Sequence, residues 1–161
     1  MPDNKKDFIL VHAYRSTWLP FTFLIRAKSN SKIDHVSIEV PDYGIFQSRC
    51  FSGVTLTQKH HKRPYFSIKL PFDPNSIKGK QLIMYLNNCV GKGFDYMASI
   101  FGFWGLGKCE SRDRWYCSEL TDLYFSLYLS QNSRLRTTNI FPKGFIAKCE
   151  AFLLGQCYEC Q

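Results

Sequence analysis

The sequence lacks any apolar run long enough to serve as a secretion signal or to cross a membrane. Internal repeats, low-complexity tracts and linker-like stretches are missing as well. These absences predict a single domain over residues 1–161 that is not an integral membrane protein. They also predict a cytoplasmic location, or delivery by lysis or a dedicated secretion system, as is compatible with a virus-encoded protein.

Acidic residues are few, with 13 Asp and Glu against 21 Lys and Arg, which gives a formal net charge of +8. Such an excess suits an anionic partner, for example nucleic acid, a membrane surface or the cell wall. The positive charge is nevertheless spread along the chain, and Lys59–Arg63 is its one dense cluster. Five basic residues between two predicted strands favour a solvated loop. Nucleic-acid binding is therefore the alternative function and not the preferred one.

Regular cysteine spacing is also absent, because the seven cysteines are an odd number without a repeating interval. That pattern indicates reduced thiols in a cytoplasm instead of a disulfide framework. Cys157 and Cys160 form a Cys-x-x-Cys pair, and Cys109 and Cys149 would complete four sulfur ligands for zinc. A structural zinc site normally shows two closely spaced pairs, so thiols in a terminal tail are the better interpretation. No metal or organic cofactor is expected.

What the chain does have is 45% hydrophobic and 16% aromatic residues, enough for a substantial core. Strand patterns come first and helix patterns follow, which is the order of an α+β fold. Strands are predicted over Asp7–Ala13, Ile33–Val40, Ile45–Phe51, Val54–Gln58 and Tyr65–Leu70. Helices are predicted over Ser16–Lys28, from Asp73 as N-cap to Gly91, within Phe94–Phe103, from Cys117 onward, and from Pro142 or Lys143 to Leu154.

Cys117 stands where a short aromatic lead-in gives way to apolar residues at helical spacing, so it is predicted to begin a helix. Unpaired backbone N–H groups and the positive end of the helix dipole favour a thiolate at such a position. A small apolar residue that opens a core helix would produce the same pattern. The segment alone leaves both interpretations open.

His35 is the candidate base for this thiol. It begins a strand in which Val36, Ile38 and Val40 share one face, while His35, Ser37 and Glu39 share the other. A thiol nucleophile needs a nearby base, and the base needs a third polar group to fix its tautomer.

The segments Asp34–Val40 and Tyr116–Leu120 together resemble the circularly permuted, NlpC-like branch of the papain-fold cysteine hydrolases, of the YiiX and YebB type. In that family a His-Val-small-Ile strand precedes a Tyr-Cys-Ser-Glu-Leu helix start. The resemblance covers roughly residues 8–129 and includes Gly93–Tyr96, in which the family's aspartate and tyrosine are in altered order. It implies a permuted papain-like fold, a small antiparallel sheet packed against the helix that carries the cysteine.

The resemblance also implies the roles of three residues. Cys117 would be the nucleophile, His35 the general base, and Gln47 would match the third polar position on the following strand, where the family often has glutamate or histidine. Gln47 lies on the His35 face only if the hairpin loop has an odd number of residues; an even number would put Ser48 there. Glu39 is a further candidate because it shares the His35 face.

The function implied is hydrolysis of an amide or ester through an acyl-enzyme, with peptide or lipid-like substrates, and acyl transfer if an amine or alcohol replaces water. Further implied features are an oxyanion donor at the Cys117 N–H and a second donor at Tyr96 or Tyr116. The alternative is a non-catalytic basic binding protein on the same fold.

Overall fold

The computed structural model describes residues 8–15, 30–60, 62–95, 113–129 and 142–154. The described part is an α+β structure with a five-stranded antiparallel sheet, as the order of patterns predicted. The predicted helix over Ser16–Lys28, most of the segment Phe94–Phe103, and the Cys157–Cys160 pair lie outside the described residues. Among the described helices, none is long and apolar enough to cross a membrane.

The main sheet has the strand order β4-β3-β2-β1-β5, and every neighbouring pair is antiparallel. All five predicted strands are present, with boundaries that differ from prediction by one or two residues. Their bounds are β1 Phe8–Tyr14, β2 His35–Val40, β3 Gly44–Arg49, β4 Gly53–Thr57 and β5 Phe66–Pro71.

The two faces of the sheet differ in chemistry, because side chains alternate along each strand. One face is apolar and fully buried, and it packs against the helices. The other carries polar side chains on all five strands: Ser67, His12 and Ser37 stand opposite one another in register across β5, β1 and β2, and Gln47 stands opposite Thr55 across β3 and β4. The apolar face includes Ile9, Val11, Ala13, Val36, Ile38, Val40, Phe46 and Leu70.

Helix α1 spans Ile77–Cys89, and its N-cap is Ser76 instead of the predicted Asp73. The Ser76 hydroxyl accepts the Gly79 N–H at 2.9 Å, while the Asp73 carboxylate accepts the Asn75 N–H at 2.8 Å in the turn before it. Both residue types cap helices well, so the pattern could not choose between them. Gly79 is required there, because a Cβ would lie 2.0 Å from the Asp73 carbonyl oxygen.

A two-stranded parallel sheet leads the chain toward Cys117. Strands β6, Gly93–Phe94, and β7, Arg114–Trp115, pair side by side, and the Val54 N–H of β4 donates to the Lys92 carbonyl at 2.8 Å. Phe94, the first residue of the segment in which a short helix was predicted, therefore belongs to a strand. This connection anchors the residues before Cys117 to the main sheet.

Helix α2 spans Cys117–Leu123 and continues as one π-helical turn, Tyr124–Tyr128. Helix α3 spans Pro142–Leu153. The helical spacing predicts that Phe145, Ile146, Cys149, Phe152 and Leu153 face inward; the first three are buried, but Leu153 is 51% exposed, so the prediction was wrong for Leu153. The Lys148 ammonium and Asp122 carboxylate form a buried 2.7 Å ion pair between α3 and α2.

Candidate active site

Cys117 is the first residue of α2, and its side chain is buried in the core. Tyr116 is the N-cap residue, with an extended backbone. Its N–H donates to Glu119 Oε2 at 2.9 Å, so the Glu119 side chain caps the start of the helix. The Leu120 N–H then donates to the Tyr116 carbonyl at 3.1 Å. Glu119 thus has the capping position expected of an acid in a first turn.

Strand β3 holds the start of this helix in place. Ser48 is fully buried on the apolar face, and its hydroxyl donates to the Trp115 carbonyl at 2.5 Å. Helix α2 packs against β2 and β3 on that same face. The thiol is therefore positioned by the sheet and by its own helix.

The thiol of Cys117 lies near the start of β2. The register between β2 and β3 covers Ile38–Val40 and Gly44–Phe46, and closer to His35 the paired segment has ended. There the sulfur accepts hydrogen bonds from the backbone N–H groups of Val36 and Ser118. Val36 directly follows His35, so the thiol reaches the first residues of β2.

The environment of this thiol raises its pKa, whereas the sequence favoured a lowered one. Burial raises the pKa of Cys117 to about 12, and the N–H groups of Val36 and Ser118 lower it only in part. The helix start does supply N–H donors that stabilise the thiolate. The loss of hydration on burial destabilises the thiolate by more than these hydrogen bonds stabilise it. The resting residue at neutral pH is consequently a thiol.

His35 and Gln47 are brought together on the polar face. The His35 Nε2 and Gln47 Oε1 atoms are 3.4 Å apart, a long hydrogen bond. An amide oxygen only accepts, so Nε2 carries the ring proton and Nδ1 carries the lone pair. The Tyr14 ring lies 5.4 Å from the imidazole ring on the same face.

The imidazole is neutral at physiological pH. Burial lowers the pKa of His35 to about 4, the hydrogen bond to Gln47 raises it in part, and the Arg49 charge lowers it further. A neutral imidazole with a free Nδ1 is a proton acceptor. It and the Cys117 thiol approach the same end of β2 from opposite faces of the sheet.

The three candidates for the residue that orients His35, namely Gln47, Ser48 and Glu39, differ in sheet face and in hydrogen-bond partner. The hairpin loop between β2 and β3 is Pro41–Tyr43, an odd number of residues, so Gln47 shares the His35 face. Ser48 lies on the opposite face, bound to Trp115. Glu39 shares the His35 face, but its carboxylate bonds to the His12 ring at 2.7 Å.

The candidates for the second oxyanion donor are the side chains of Tyr96 and Tyr116. Tyr96 lies outside the described residues. The Tyr116 side chain is 7% exposed, and its hydroxyl has no hydrogen-bond partner within the described ranges. Burial raises the pKa of Tyr116, and the neighbouring Cys117 raises it further. Tyr116 therefore keeps its proton and has a hydrogen bond to donate.

A second polar cluster on this face was not found by sequence reasoning. His12 is buried with both ring nitrogens hydrogen-bonded, and its partner Glu39 also faces His60, which was interpreted as part of a solvated loop. The three residues are distant in sequence and belong to β1, β2 and a loop. The one available signal was that His12 and Glu39 belong to the polar faces of adjacent strands.

Comparison of the chain with known protein families found no matching family, and comparison with curated proteins found no similar sequence.

Proposed function

We propose that the protein is a cysteine hydrolase of amide or ester bonds, with Cys117 as nucleophile, His35 as general base and Gln47 as the residue that orients His35. The observation that carries the proposal is the contact of the Cys117 sulfur with the N–H of Val36, the neighbour of His35. The nucleophile at the start of α2 thereby contacts the residue next to the base at the start of β2.

The charge states favour a neutral resting pair, because the pKa of Cys117 is about 12 and that of His35 about 4. This mechanism requires proton transfer from sulfur to Nδ1 during the attack on the substrate carbonyl, as in general-base catalysis by a hydroxyl nucleophile. For this transfer the His35 ring must reach around the start of β2 to the Cys117 side. Sulfur forms a thioester after the leaving group takes the proton from His35. Water, activated by the same imidazole, hydrolyses the thioester; an amine or alcohol in its place would give acyl transfer.

The oxyanion of the tetrahedral intermediate would be stabilised by the Cys117 N–H at the helix start and by the Tyr116 hydroxyl. Tyr116 supports this role because its buried hydroxyl has no partner within the described residues. Tyr116→Phe keeps the ring and removes the donor, so we expect acylation to slow by about 100-fold. An unchanged rate would assign Tyr116 to the core alone.

A permuted papain-like fold is the matching structural proposal. Its support is the order of the elements, in which the antiparallel sheet with His35 precedes the helix that begins at Cys117. The substrate class, peptide or lipid-like, rests on the family resemblance.

The test is acylation of the purified chain by p-nitrophenyl esters of short and long acyl chains, followed by intact mass and peptide mapping. We expect one acyl group on Cys117, and His35→Gln should slow its formation by at least about 100-fold. Cys50→Ser is the matched control, because Cys50 is a half-buried thiol on the turn after β3. Acylation spread over several thiols and indifferent to His35 would contradict the proposal.

One observation favours a second function, a non-catalytic binding protein with a net charge of +8. The raised pKa of Cys117 is what a structural thiol would also show. This alternative expects salt-sensitive retention on nucleic acid or heparin that Cys117→Ala leaves unchanged, together with no ester acylation at Cys117.

A further inference from the structure

A cluster of two imidazoles and one carboxylate lies on the polar face, away from Cys117. The Glu39 Oε2 atom is 2.7 Å from His12 Nε2 and 3.6 Å from His60 Nε2. The three ligand atoms all lie within 4.8 Å of one another. Ligand atoms around a tetrahedral zinc ion at bond lengths near 2.1 Å are about 3.4 Å apart, a separation that lies between the two distances from Glu39 Oε2 to the imidazole nitrogens.

Both imidazoles are oriented in the same way. Each directs Nε2 toward Glu39 and Nδ1 toward a hydroxyl: His12 Nδ1 is 2.7 Å from Ser67 Oγ, and His60 Nδ1 is 3.1 Å from the Tyr14 hydroxyl. The Tyr14 hydroxyl is in turn 3.1 Å from Ser37 Oγ. Histidines that bind metals usually donate their second ring N–H to an oxygen, which fixes the tautomer and the ring plane.

The protonation of the cluster also suits a cation. Burial lowers the pKa of His12, and the hydrogen bond to Glu39 raises it only in part, so the ring is neutral as a ligand must be. On metal binding the His12 ring proton moves from Nε2 to Nδ1, where it is donated to Ser67, and Nε2 becomes the ligand. The proton count of the ring is unchanged.

We propose that His12, Glu39 and His60 form a binding site for a single Zn²⁺ ion. Two imidazoles and one carboxylate are a common ligand set for zinc with an open fourth position. The Glu39 and His60 side chains are 29% and 34% exposed, so solvent reaches that position and supplies a water ligand. The ion would fasten the loop after β4 to β1 and β2, and this inference does not depend on the hydrolase proposal.

The test uses the full chain with Cys157→Ser and Cys160→Ser, which removes the terminal thiol pair as a competing zinc ligand. Zn²⁺ is titrated against a chromophoric chelator after metal removal. We expect one ion per chain, and His60→Gln and Glu39→Gln should each lower the affinity by at least about 10-fold. His60 is on an exposed loop, so its substitution should not compromise folding. Ser67→Ala, which removes only the partner of His12, should cost about 10-fold.

The ligand type is read with Co²⁺, which shows d–d absorption without an intense thiolate charge-transfer band when nitrogen and oxygen bind it. His35→Gln is the matched control, a histidine on the same face that does not contact Glu39 in the cluster, and it should leave Zn²⁺ affinity unchanged. The proposal is overturned if the parent chain takes up no Zn²⁺, if His60→Gln binds it equally well, or if Co²⁺ shows the thiolate band.

Discussion

The Ser48 hydroxyl donates to the Trp115 carbonyl at 2.5 Å, and this bond ties the strand beside His35 to the residue two positions before Cys117. Ser48 is fully buried, and the Trp115 carbonyl also accepts the Asp95 N–H at 3.3 Å. The bond therefore links the two halves of the candidate active site.

Ser48→Ala should lower the free energy of unfolding by about 1 kcal/mol, because it removes one hydrogen bond while the Trp115 carbonyl keeps the Asp95 N–H as a donor. Urea denaturation followed by fluorescence measures this. Ser52→Ala, at an exposed turn position, should change stability by less than about 0.5 kcal/mol. Equal effects of the two substitutions would show that the bond contributes nothing.

Gln47 substitutions should separate orientation from charge. Gln47→Ala removes the acceptor for His35 Nε2 and should slow acylation of Cys117. Gln47→Glu keeps an acceptor and adds a negative charge, which raises the pKa of His35 from about 4. The acidic limb of the pH–rate profile should then move to higher pH, measured as acylation rate against pH. If the pH–rate profile of Gln47→Glu is the same as that of the parent chain, Gln47 does not act on His35.

His35 should make stability depend on pH between about 4 and 6.5. In this range the unfolded imidazole, with a pKa of 6.5, binds a proton that the folded one, with a pKa of about 4, does not. Stability is therefore greatest above pH 6.5 and falls as the pH decreases, by about 3 kcal/mol in total at pH 4. Below that pH both states are protonated and this contribution no longer changes.

Urea denaturation at a series of pH values measures that slope. His35→Gln should flatten it, and the flattened curve should still retain the contribution of His12, whose pKa is also lowered. A slope that is the same with and without His35 would refute the assignment.

The Lys148–Asp122 ion pair should be required for folding stability. Both side chains are buried, and the Lys148 ammonium also lies 4.4 Å from the centre of the Phe125 ring. Lys148→Met leaves a buried carboxylate without its cation and should cost about 3–5 kcal/mol. Thermal denaturation measures the loss.

The control for that variant is Lys78→Met on the exposed side of α1, which should have little effect. Adding Asp122→Leu to Lys148→Met should recover stability, because the buried carboxylate that lost the Lys148 cation is then removed as well. If the double variant is no more stable than Lys148→Met, the charge is not the cause.

The sequence by itself determined much of the sheet and the nature of its two faces. The alternation of Val36, Ser37 and Ile38 predicted which side chains would be buried in the apolar core, since a strand has a fixed period of two. The start of α2 at Cys117 was also predictable, because helical spacing begins there. The capping residue of α1 was not, since Asp73 and Ser76 are equally suitable types.

Only the tertiary structure decided the polar contacts and the charge states. The three-residue hairpin loop put Gln47 beside His35, and one residue more or fewer would have put Ser48 there. Burial, which depends on how the whole chain packs, raised the pKa of Cys117 against the helix start that favoured the thiolate. The cluster of His12, Glu39 and His60 required strand pairing and a loop to bring distant residues together, and no local pattern records such a distance.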